Sequence, residues 1–258
     1  MLGLIGIGLS DANDITRKGL AWIQEADKVY LEGYTSKLNT SIGELEAAYD
    51  TTITAANRHD LEQDHQGILD EAQKNDVAVL IIGDVFSATT HAMLYVEAQN
   101  QGIETTVVHN ASIFSAIAQT GLQLYKFGKT TSIVAKDGWV PSTPYEAVKE
   151  NSARGLHTLC LLDIEASAAG SDTDDEFMTA SQAVSILQHL EKEHGDNVIT
   201  ETTEIVIVQD LSGPNQQIWR GTVDEIGEFT GTTPLHSLVI PADLHDMEVE
   251  MLDTVSEH

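Results

Sequence analysis

The feature that most constrains the fold of this chain is an alternation of short apolar runs with stretches of helical periodicity. This alternation is typical of βαβ units, in which a helix connects two parallel strands of one sheet. The most apolar run, Val77–Ile82, has the length of a strand. The predicted strands are Leu2–Ile7, Lys28–Leu31, Thr51–Ala55, Val77–Ile82, Thr105–His109, Thr130–Ala135, His157–Asp163, Glu204–Val208 and His236–Ile240.

Helices are predicted in the intervals between these strands. One is expected to have Pro144 in its first turn and Gly155 at its end. Thr179 and Gln182 have the spacing of a capping box for a helix that runs to His194. The other predicted helices are Ile15–Ala26, Ile42–Ala48, Gln66–Gln73, Thr90–Gln99 and Ser112–Gln119.

Two successive series of such elements predict an α/β protein of two domains. We expect residues 1–122 to form an N-terminal α/β domain that carries a glycine loop, and residues 123–258 to form a C-terminal α/β domain. The acidic segment Ala166–Glu176 has low hydrophobicity, which predicts a solvated loop.

The charge of the chain limits its partners. Thirteen Lys and Arg residues against 41 Asp and Glu residues give a formal net charge of −28 over 258 residues. Such a field repels phosphate backbones, so we expect no nucleic acid partner. The acids are scattered along the chain, which favours a surface adapted to high salt over an ordinary acidic surface. With neither a membrane-length apolar run nor a signal-peptide pattern, we expect a cytoplasmic protein without a membrane partner.

Cys160 is the only cysteine in the chain. A single cysteine excludes an intramolecular disulfide and a zinc site built from several cysteines, and we expect no metal site. Because Cys160 lies in an apolar run, we expect it in the core and not as a nucleophile.

A glycine loop, Gly6-Ile7-Gly8-Leu9-Ser10-Asp11, follows the first predicted strand. It begins like a dinucleotide-binding fingerprint, but Asp11 stands where the third glycine should be. This departure disfavours a nicotinamide-dependent oxidoreductase. The motif by itself is equally consistent with a ligand-binding loop and with a tight turn between a strand and a helix.

Gly83 and Asp84 follow the most apolar strand, where open α/β sheets bind ligands. Asp84 can accept hydrogen bonds from an amine or a ribose hydroxyl of a ligand. Considered without other motifs, it is better explained as the N-cap of the next helix. His91 is similarly better explained as a hydrogen-bonding residue at a helix start than as a catalyst.

Longer sequence strings occur in a fixed order along nearly the whole chain. They are Asp14-Ile15-Thr16, Tyr34-Thr35-Ser36, Ala88-Thr89-Thr90-His91, Gly121-Leu122-Gln123-Leu124-Tyr125-Lys126-Phe127-Gly128-Lys129, Lys149-Glu150-Asn151, Arg154-Gly155-Leu156-His157-Thr158-Leu159 and Leu161-Leu162-Asp163-Ile164. In this order the strings resemble those of the diphthine synthases. The resemblance implies a tetrapyrrole-methylase-type fold with two α/β domains, a cofactor cleft between them, and a homodimer.

The same resemblance implies an activity. Enzymes of this family transfer methyl groups from S-adenosylmethionine to the amino-carboxypropyl amine on a modified histidine of translation elongation factor 2, in diphthamide biosynthesis. By position in the family motifs, the cofactor-binding residues implied are Leu9, Asp84, Ser87, Ser112, Ile113, Leu162, Asp210 and His236.

Two segments depart from the family pattern at this implied site. The turn Gly83-Asp84-Val85 lacks the family's proline after the aspartate, which frees one backbone torsion and restores an N–H group. The segment Val208-Gln209-Asp210-Leu211-Ser212 stands where the family usually reads Ala-Arg-Ala-Gly-Ser, and the turn that follows is one residue longer. Both departures bear on cofactor affinity.

The sequence identifies no catalytic base, although His91, His157 and His236 are candidates, each of which also has a structural explanation. Two alternatives stay open. One is another methylase of the same fold, acting on a corrin ring or a ribosomal RNA ribose. The other is a non-catalytic protein that keeps the cofactor site.

Overall fold

The computed structural model describes residues 1–34, 36–135, 139–165 and 176–256. These residues form two compact units: Met1–Ala116, and Ile117–Glu165 together with residues 176–256. The predicted domains, 1–122 and 123–258, stay a prediction, because compactness does not show which segment folds by itself.

The first unit is built on one parallel sheet. Its described elements are β1 (Leu2–Gly6), α1 (Arg17–Glu25), β2 (Lys28–Glu32), α2 (Ile42–Tyr49), β3 (Ile53–Ala56), α3 (Gln66–Ala72), β4 (Val77–Ile81), α4 (Ala92–Asn100), β5 (Thr105–Val108) and α5 (Ile113–Ala116), with a 3-10 turn at Ala12–Asp14 and a π-helical segment at His59–Gln63. The strand order is β3-β2-β4-β1-β5. The carboxyl ends of all five strands therefore lie at one edge of the sheet.

The central strand β4 explains why the sequence contains one uninterrupted apolar run. Val77, Val79 and Ile81 pack in one buried cluster, whereas Ala78 and Leu80 pack in another. A strand that is covered on both faces must be apolar at every position. Chain segments that leave this edge carry the polar residues of the first unit that could bind a ligand.

The second unit is built on a mixed sheet. Its described elements are β6 (Thr131–Ile133), α6 (Thr143–Ser152), β7 (Thr158–Leu162), β8 (Ile164–Glu165), β9 (Glu176–Phe177), α7 (Ala180–His194), β10 (Glu204–Gln209), β11 (Gln217–Thr222), β12 (His236–Ile240) and α8 (Asp246–Val255), with 3-10 turns at Ile117–Thr120, Leu124–Lys126 and Asp224–Glu228. The strand order is β11-β10-β12-β7-β6, and only the pair β6 and β7 is parallel.

The predicted capping box of α7 is confirmed. The Thr179 hydroxyl accepts from Gln182 N, and the Gln182 side chain accepts from Thr179 N. The helix ends at His194, and Gly195 follows it with a φ of +71°. This left-handed conformation at a helix end favours glycine.

The predicted elements of the second half were incomplete, because neither β11 nor α8 was among them. In β11 only Ile218 and Trp219 are buried, and in α8 only Glu248 and Leu252 are buried, so neither has a long apolar stripe. Of the predicted loop Ala166–Glu176, residues 166–175 lie outside the described residues, and Glu176 begins β9.

Two further expectations concern single features. Cys160 is fully buried, as predicted, and burial raises the pKa of its thiol to about 12, so it is not a nucleophile near neutral pH. Within the described ranges, every helix is too short or too polar to span a bilayer.

Candidate functional site

The turns after β1 and β4 lie against each other at the carboxyl edge of the first sheet. Gly83 N donates to Gly8 O at 2.7 Å, and Gly8 N donates to Gly83 O at 3.3 Å. Both glycines have positive φ, and a side chain on Gly6 would lie 2.7 Å from the Gly83 carbonyl oxygen. The glycines therefore permit a close approach that brings the loop at Leu9 beside the turn at Asp84.

Asp14 holds the glycine loop in place. Its Oδ2 accepts from Leu9 N at 3.0 Å and from Ser10 N at 2.7 Å. Because a carboxylate already occupies these amide groups, they cannot hold a pyrophosphate. The loop thus differs in chemistry from a dinucleotide-binding turn, in agreement with the missing third glycine at Asp11.

Asp84 organises the turn after β4 and is not the N-cap of α4, which was the explanation favoured by the motif alone. Its Oδ1 accepts from Phe86 N at 3.2 Å and from Ser87 Oγ at 3.0 Å. Its Oδ2 contacts His109 Nδ1 at 2.7 Å and accepts from Asn110 N at 3.2 Å. Four polar contacts of this carboxylate therefore fix the turn and connect it to the residues after β5.

The carboxylate of Asp84 is ionised at neutral pH. Burial alone would raise its pKa, but the hydrogen bonds from His109, Phe86 and Asn110 outweigh burial and lower the pKa below its usual value. The His109 side chain is 67% exposed, so this contact is the one that a ligand could replace most easily.

Asn110 connects the end of β5 to the glycine loop. Its Nδ2 donates to the carbonyl oxygens of Gly6 and Asp14, both at 3.0 Å. Ser112 is buried, and Ile113 begins α5 directly after it. A side chain on Gly83 would lie 3.8 Å from Ser112 Cβ. The first unit therefore brings together Leu9, Asp84, Ser87, Ser112 and Ile113.

The other three predicted residues lie at one end of the second sheet. β7 ends at Leu162, Asp210 directly follows β10, and β12 begins at His236. Since β12 is antiparallel to both β7 and β10, its first residue lies beside their ends, and His236 pairs with Gln209. Whether either group of residues binds a cofactor stays a prediction.

His236 is buried and has one ring nitrogen available for a ligand. Its Nδ1 accepts from Ala180 N at 3.1 Å, at the start of α7, so the neutral ring carries its proton on Nε2. Within the described part of the chain, Nε2 forms no hydrogen bond. Burial lowers the pKa of His236, and the Thr233 backbone opposes this only partly, so the ring is neutral near pH 7.

Asp210 holds the turn between β10 and β11. It has a φ of +45°, and its Oδ2 accepts from Asn215 N at 2.9 Å. Its own N–H donates to Leu235 O at 2.8 Å. A side chain on Gly213 would lie 2.0 Å from Asp210 Oδ1. The longer turn noted in the sequence is therefore built around this aspartate.

Tyr34 and His91 form a second polar cluster in the first unit, at the ends of β2 and β4. Their ring centroids are 6.4 Å apart, and both side chains are buried. Among the described residues, the Tyr34 hydroxyl and both ring nitrogens of His91 have no hydrogen-bond partner. The expectation that His91 forms hydrogen bonds at a helix start was therefore wrong for its ring.

Glu248 is the centre of a polar cluster in the second unit. It is fully buried and accepts from Lys126 Nζ at 2.5 Å, Gln123 N at 2.9 Å and His245 N at 2.8 Å. It also contacts His157 Nε2 at 3.0 Å. Burial by itself raises the pKa of Glu248, but these hydrogen bonds outweigh burial and lower the pKa to about 2.

The Glu248 contacts explain two of the sequence strings that resemble the family. Lys126 belongs to the string of residues 121–129, and His157 belongs to that of residues 154–159. His157 Nδ1 accepts from Ala242 N at 2.9 Å, so both of its ring nitrogens are occupied. Of the three histidines considered as bases, His157 therefore has a structural role.

Comparison with known proteins identifies the class of this fold and site. The family model described as tetrapyrrole (corrin/porphyrin) methylases matches residues 1–227. The chain therefore belongs to the tetrapyrrole methylase family, and it is a methyltransferase.

More specific similarity extends over the whole chain. It is 39% identical to a diphthine synthase of Methanococcus maripaludis over 260 residues, which cover 100% of both chains. It is 41% identical to a diphthine methyl ester synthase of Eremothecium gossypii over 269 residues, which cover 100% of this chain and 90% of the relative. A crystal structure of diphthine synthase matches with a TM-score of 0.88 and 31% identity, covering 99% of this chain and 95% of that one.

Sequence reasoning missed several residues that build these sites. Asp14, His109 and Asn110 organise the predicted cofactor residues of the first unit. Asp14 lies in a string that was noticed, and Asn110 directly follows β5, so its position at the carboxyl edge was a usable signal. Glu248 had no such signal, because α8 was not predicted.

Proposed function

We propose that the chain transfers methyl groups from S-adenosylmethionine to the amino-carboxypropyl amine on the modified histidine of elongation factor 2. The observation that carries this proposal is full-length similarity to a diphthine synthase at 39% identity. Residues of the family strings also form hydrogen bonds in the structure: Asp14 does so in the first unit, and Lys126 and His157 do so in the second.

The residues present fit S-adenosylmethionine. The ionised Asp84 suits an amine or ribose hydroxyl, and the free Nε2–H of His236 suits an acceptor atom of the ligand. Leu9, Ile113 and Leu162 offer apolar surface, whereas Ser87, Ser112 and Asp210 complete the proposed set. When bound, this cofactor supplies a methyl group on a positively charged sulfur.

The reaction requires a free amine. The amine must lose its proton, so that its lone pair would be free to accept the methyl group that the bound cofactor would supply, leaving the cofactor as a neutral thioether. Burial favours the neutral amine, because a charged group is costly in surroundings of low polarity. The main task of the protein is then to hold and desolvate the acceptor. Neither His91 nor His236 is assigned as a base.

A second candidate function differs only in the last methyl group. The chain is also 41% identical to a diphthine methyl ester synthase, whose name indicates an additional ester on the carboxylate. The chain is about as similar to this relative, at 41% identity, as to the diphthine synthase, at 39% identity. Counting methyl groups on the product will decide between them.

The cellular location, the oligomeric state and the partners are proposed from the same resemblance. We propose a cytoplasmic homodimer that acts on a protein partner and binds neither nucleic acid nor membranes. The net charge of −28 supports the exclusion of nucleic acid and favours a basic surface around the target histidine.

Calorimetric titration separates this function from its rivals. We expect S-adenosylmethionine to bind and NADH not to bind. Labelled methyl groups should then move from the cofactor to elongation factor 2 that carries the amino-carboxypropyl intermediate. Cofactor binding without transfer, at both low and high potassium chloride, would favour a non-catalytic protein, and NADH binding would favour an oxidoreductase.

A further inference from the structure

The Tyr34 and His91 cluster lies beside the proposed cofactor residues on the same edge of the first sheet. Tyr34 follows β2, which pairs with β4, and Arg58 follows β3, which pairs with the other side of β2 in the order β3-β2-β4-β1-β5. The segment after β4 carries Asp84 near its start and His91 at its end. Val85, the residue after Asp84, packs in the same buried cluster as Tyr34, so the two groups meet in this part of the unit.

The cluster contains three buried polar atoms that form no hydrogen bond of normal geometry within the described ranges: the Tyr34 hydroxyl, which lies near Glu62 and Thr90, and His91 Nδ1 and Nε2. Tyr34 is 5% exposed and His91 is 2% exposed. Buried polar groups in folded proteins are usually hydrogen-bonded, so a group of atoms without such bonds calls for an explanation, and a ligand is one.

The protonation of these groups defines what they can bind. Burial lowers the pKa of His91 to about 4, against an opposing effect of Glu62, so the ring is neutral near pH 7 and offers one donor and one acceptor. Burial, then Glu32 and Glu62, raise the pKa of Tyr34, so its hydroxyl stays protonated. A suitable ligand offers both an acceptor and a donor.

Two opposite charges border the unsatisfied atoms. The Arg58 guanidinium lies 5.2 Å from the centroid of the Tyr34 ring, and its Nε is 3.8 Å from Glu62 Oε1. Glu62 Oε1 also accepts from Thr90 Oγ1 at 2.7 Å, which fixes it beside His91. The Arg58 side chain is 57% exposed, so its guanidinium is accessible to a ligand that reaches the cluster from solvent.

The backbone before His91 is held in an unusual conformation. Ala88 has a φ of +59°, which is uncommon for a residue with a side chain. The turn is closed by Thr89 Oγ1, which donates to Val85 O at 2.7 Å. This turn delivers Thr90 and His91 to the cluster, and such backbone strain is frequent at functional sites.

We propose that Tyr34, Arg58, Glu62 and His91 bind the methyl acceptor, and that they recognise an α-amino-acid group, in which an amine and a carboxylate share one carbon. Arg58 and Tyr34 suit the carboxylate, whereas Glu62 and the acceptor nitrogen of His91 suit the amine. The assignment of this cluster as the methyl-acceptor site rests on the proposed function. The chemistry of the ligand is inferred from the side chains of the cluster.

The kinetic test compares two substitutions on or beside the same strand. Tyr34→Phe removes a hydroxyl without a described partner, whereas Tyr30→Phe removes a hydroxyl that donates to Glu71 Oε2. We expect Tyr34→Phe to raise KM for the modified factor about tenfold, to leave the Kd of S-adenosylmethionine unchanged, and to keep or raise Tm. Tyr30→Phe should lower Tm and leave KM unchanged.

The opposite pattern would overturn the assignment. If Tyr34→Phe lowers Tm as Tyr30→Phe does and leaves KM unchanged, the Tyr34 hydroxyl is a structural group. His91→Gln, which keeps one donor and one acceptor, should retain more activity than His91→Leu. Equal KM values for these two variants would contradict a hydrogen-bonding role for His91.

A binding test that needs no methyl transfer separates this inference from the proposed function. L-2-aminobutyrate carries the free α-amino-acid group and serves as the probe, with butyrate and propylamine as its two halves. In the protein loaded with S-adenosylmethionine, the ring nitrogen NMR signals of His91 should shift saturably with the full probe and more weakly with either half. The shift should be smaller in Tyr34→Phe.

The NMR binding test and the methyl-transfer assay can give negative results independently of each other. No shift of the His91 signals with L-2-aminobutyrate would overturn the assignment of this cluster, even if the wild-type protein methylates elongation factor 2. A saturable shift in a protein that transfers no methyl groups would instead reject the proposed substrate and keep the ligand class.

Discussion

Two buried polar clusters in this molecule differ in how completely their hydrogen bonds are formed. In the second unit, the Glu248 carboxylate has four partners, among them Lys126 and His157. In the first unit, the Tyr34 hydroxyl and the His91 ring have no partner among the described residues. Both clusters include residues of strings that resemble the diphthine synthases.

This difference teaches how to divide such residues between structure and function. A buried charge with a complete set of partners stabilises the chain segments that supply those partners. Buried polar atoms without partners cost stability and are instead available for a ligand. The Glu248 cluster therefore joins α8 to the chain segments at Lys126 and His157, whereas the Tyr34 and His91 cluster is assigned to recognition by the first unit.

The largest effect is expected from breaking the complete cluster. Glu248→Ala leaves Lys126 without its buried partner and removes an acceptor from two backbone amides. Removal of one partner from a buried ion pair typically costs about 3–5 kcal/mol of unfolding free energy, and urea denaturation will measure it. Asp196→Ala, which breaks the exposed pair with Lys149, is the matched control and should cost less than about 1 kcal/mol. Equal losses would contradict the comparison.

Acid should weaken the same cluster. The pKa of Glu248 is lowered from 4.5 to about 2, so its contribution is complete above about pH 5 and is lost as the pH falls towards 2. The pKa of His157 is also lowered by burial, so protonation of this histidine in the unfolded chain acts in the same direction below about pH 6.5. Unfolding free energy should fall from pH 7 to pH 3, and less steeply in Glu248→Gln.

The turn after β4 combines both roles, because Asp84 has four contacts within the protein and also belongs to the predicted cofactor residues, so Asp84→Ala should lower Tm as well as cofactor affinity. Asp84→Ala removes an ionised acceptor and four contacts that shape the turn. We expect S-adenosylmethionine affinity to fall by about 1.5–3 kcal/mol in calorimetric titration, with the circular dichroism spectrum unchanged. Unchanged affinity would show that the position carried over from the family is wrong.

Substitutions of His236 can separate cofactor binding from stability, because only one of its two ring nitrogens has a described hydrogen-bond partner. His236→Asn can keep an acceptor for Ala180 N but loses the Nε2–H group that has no described partner. We expect cofactor affinity to weaken about tenfold with little loss of Tm. His236→Leu also removes the contact at the start of α7, so its Tm should fall further. Equal Tm values would show that this contact is unimportant.

The smallest effect concerns salt. Repulsion among 41 acidic and 13 basic residues should make Tm rise with potassium chloride, since screening lengths fall from roughly 30 Å at 0.01 M to 3 Å at 1 M. The buried Glu248 cluster is screened much less, so the difference in Tm between wild type and Glu248→Ala should stay nearly constant. A flat wild-type Tm would contradict a surface adapted to high salt.

Much of the fold could be predicted because its strands are short, apolar and covered. The run at Val77–Ile82 and the capping box at Thr179 carry enough local information to define an element. β11 and α8 carry too little local information to be predicted, because each buries few residues and depends on neighbours distant in sequence. Glu248, the centre of the polar cluster in the second unit, was not identified because α8 was not predicted.

The candidate site was predictable in its positions but not in its interactions. Asp84 follows a recognisable strand, yet its contacts to His109 and Asn110 join residues more than twenty positions apart. Similarly, the strings at Tyr34 and His91 were visible in the sequence. That their polar atoms are buried without described partners is a property of the folded unit alone.

Mass spectrometry of elongation factor 2 tests the central claim most directly. Three samples are incubated with the protein: the factor with the amino-carboxypropyl histidine, the unmodified factor, and the modified factor without S-adenosylmethionine. Mass gains of whole methyl units should appear only in the first sample, and fragmentation should locate them on the modified histidine. Equal methylation of the unmodified factor, or no methylation of the modified factor at any salt concentration, would contradict the account.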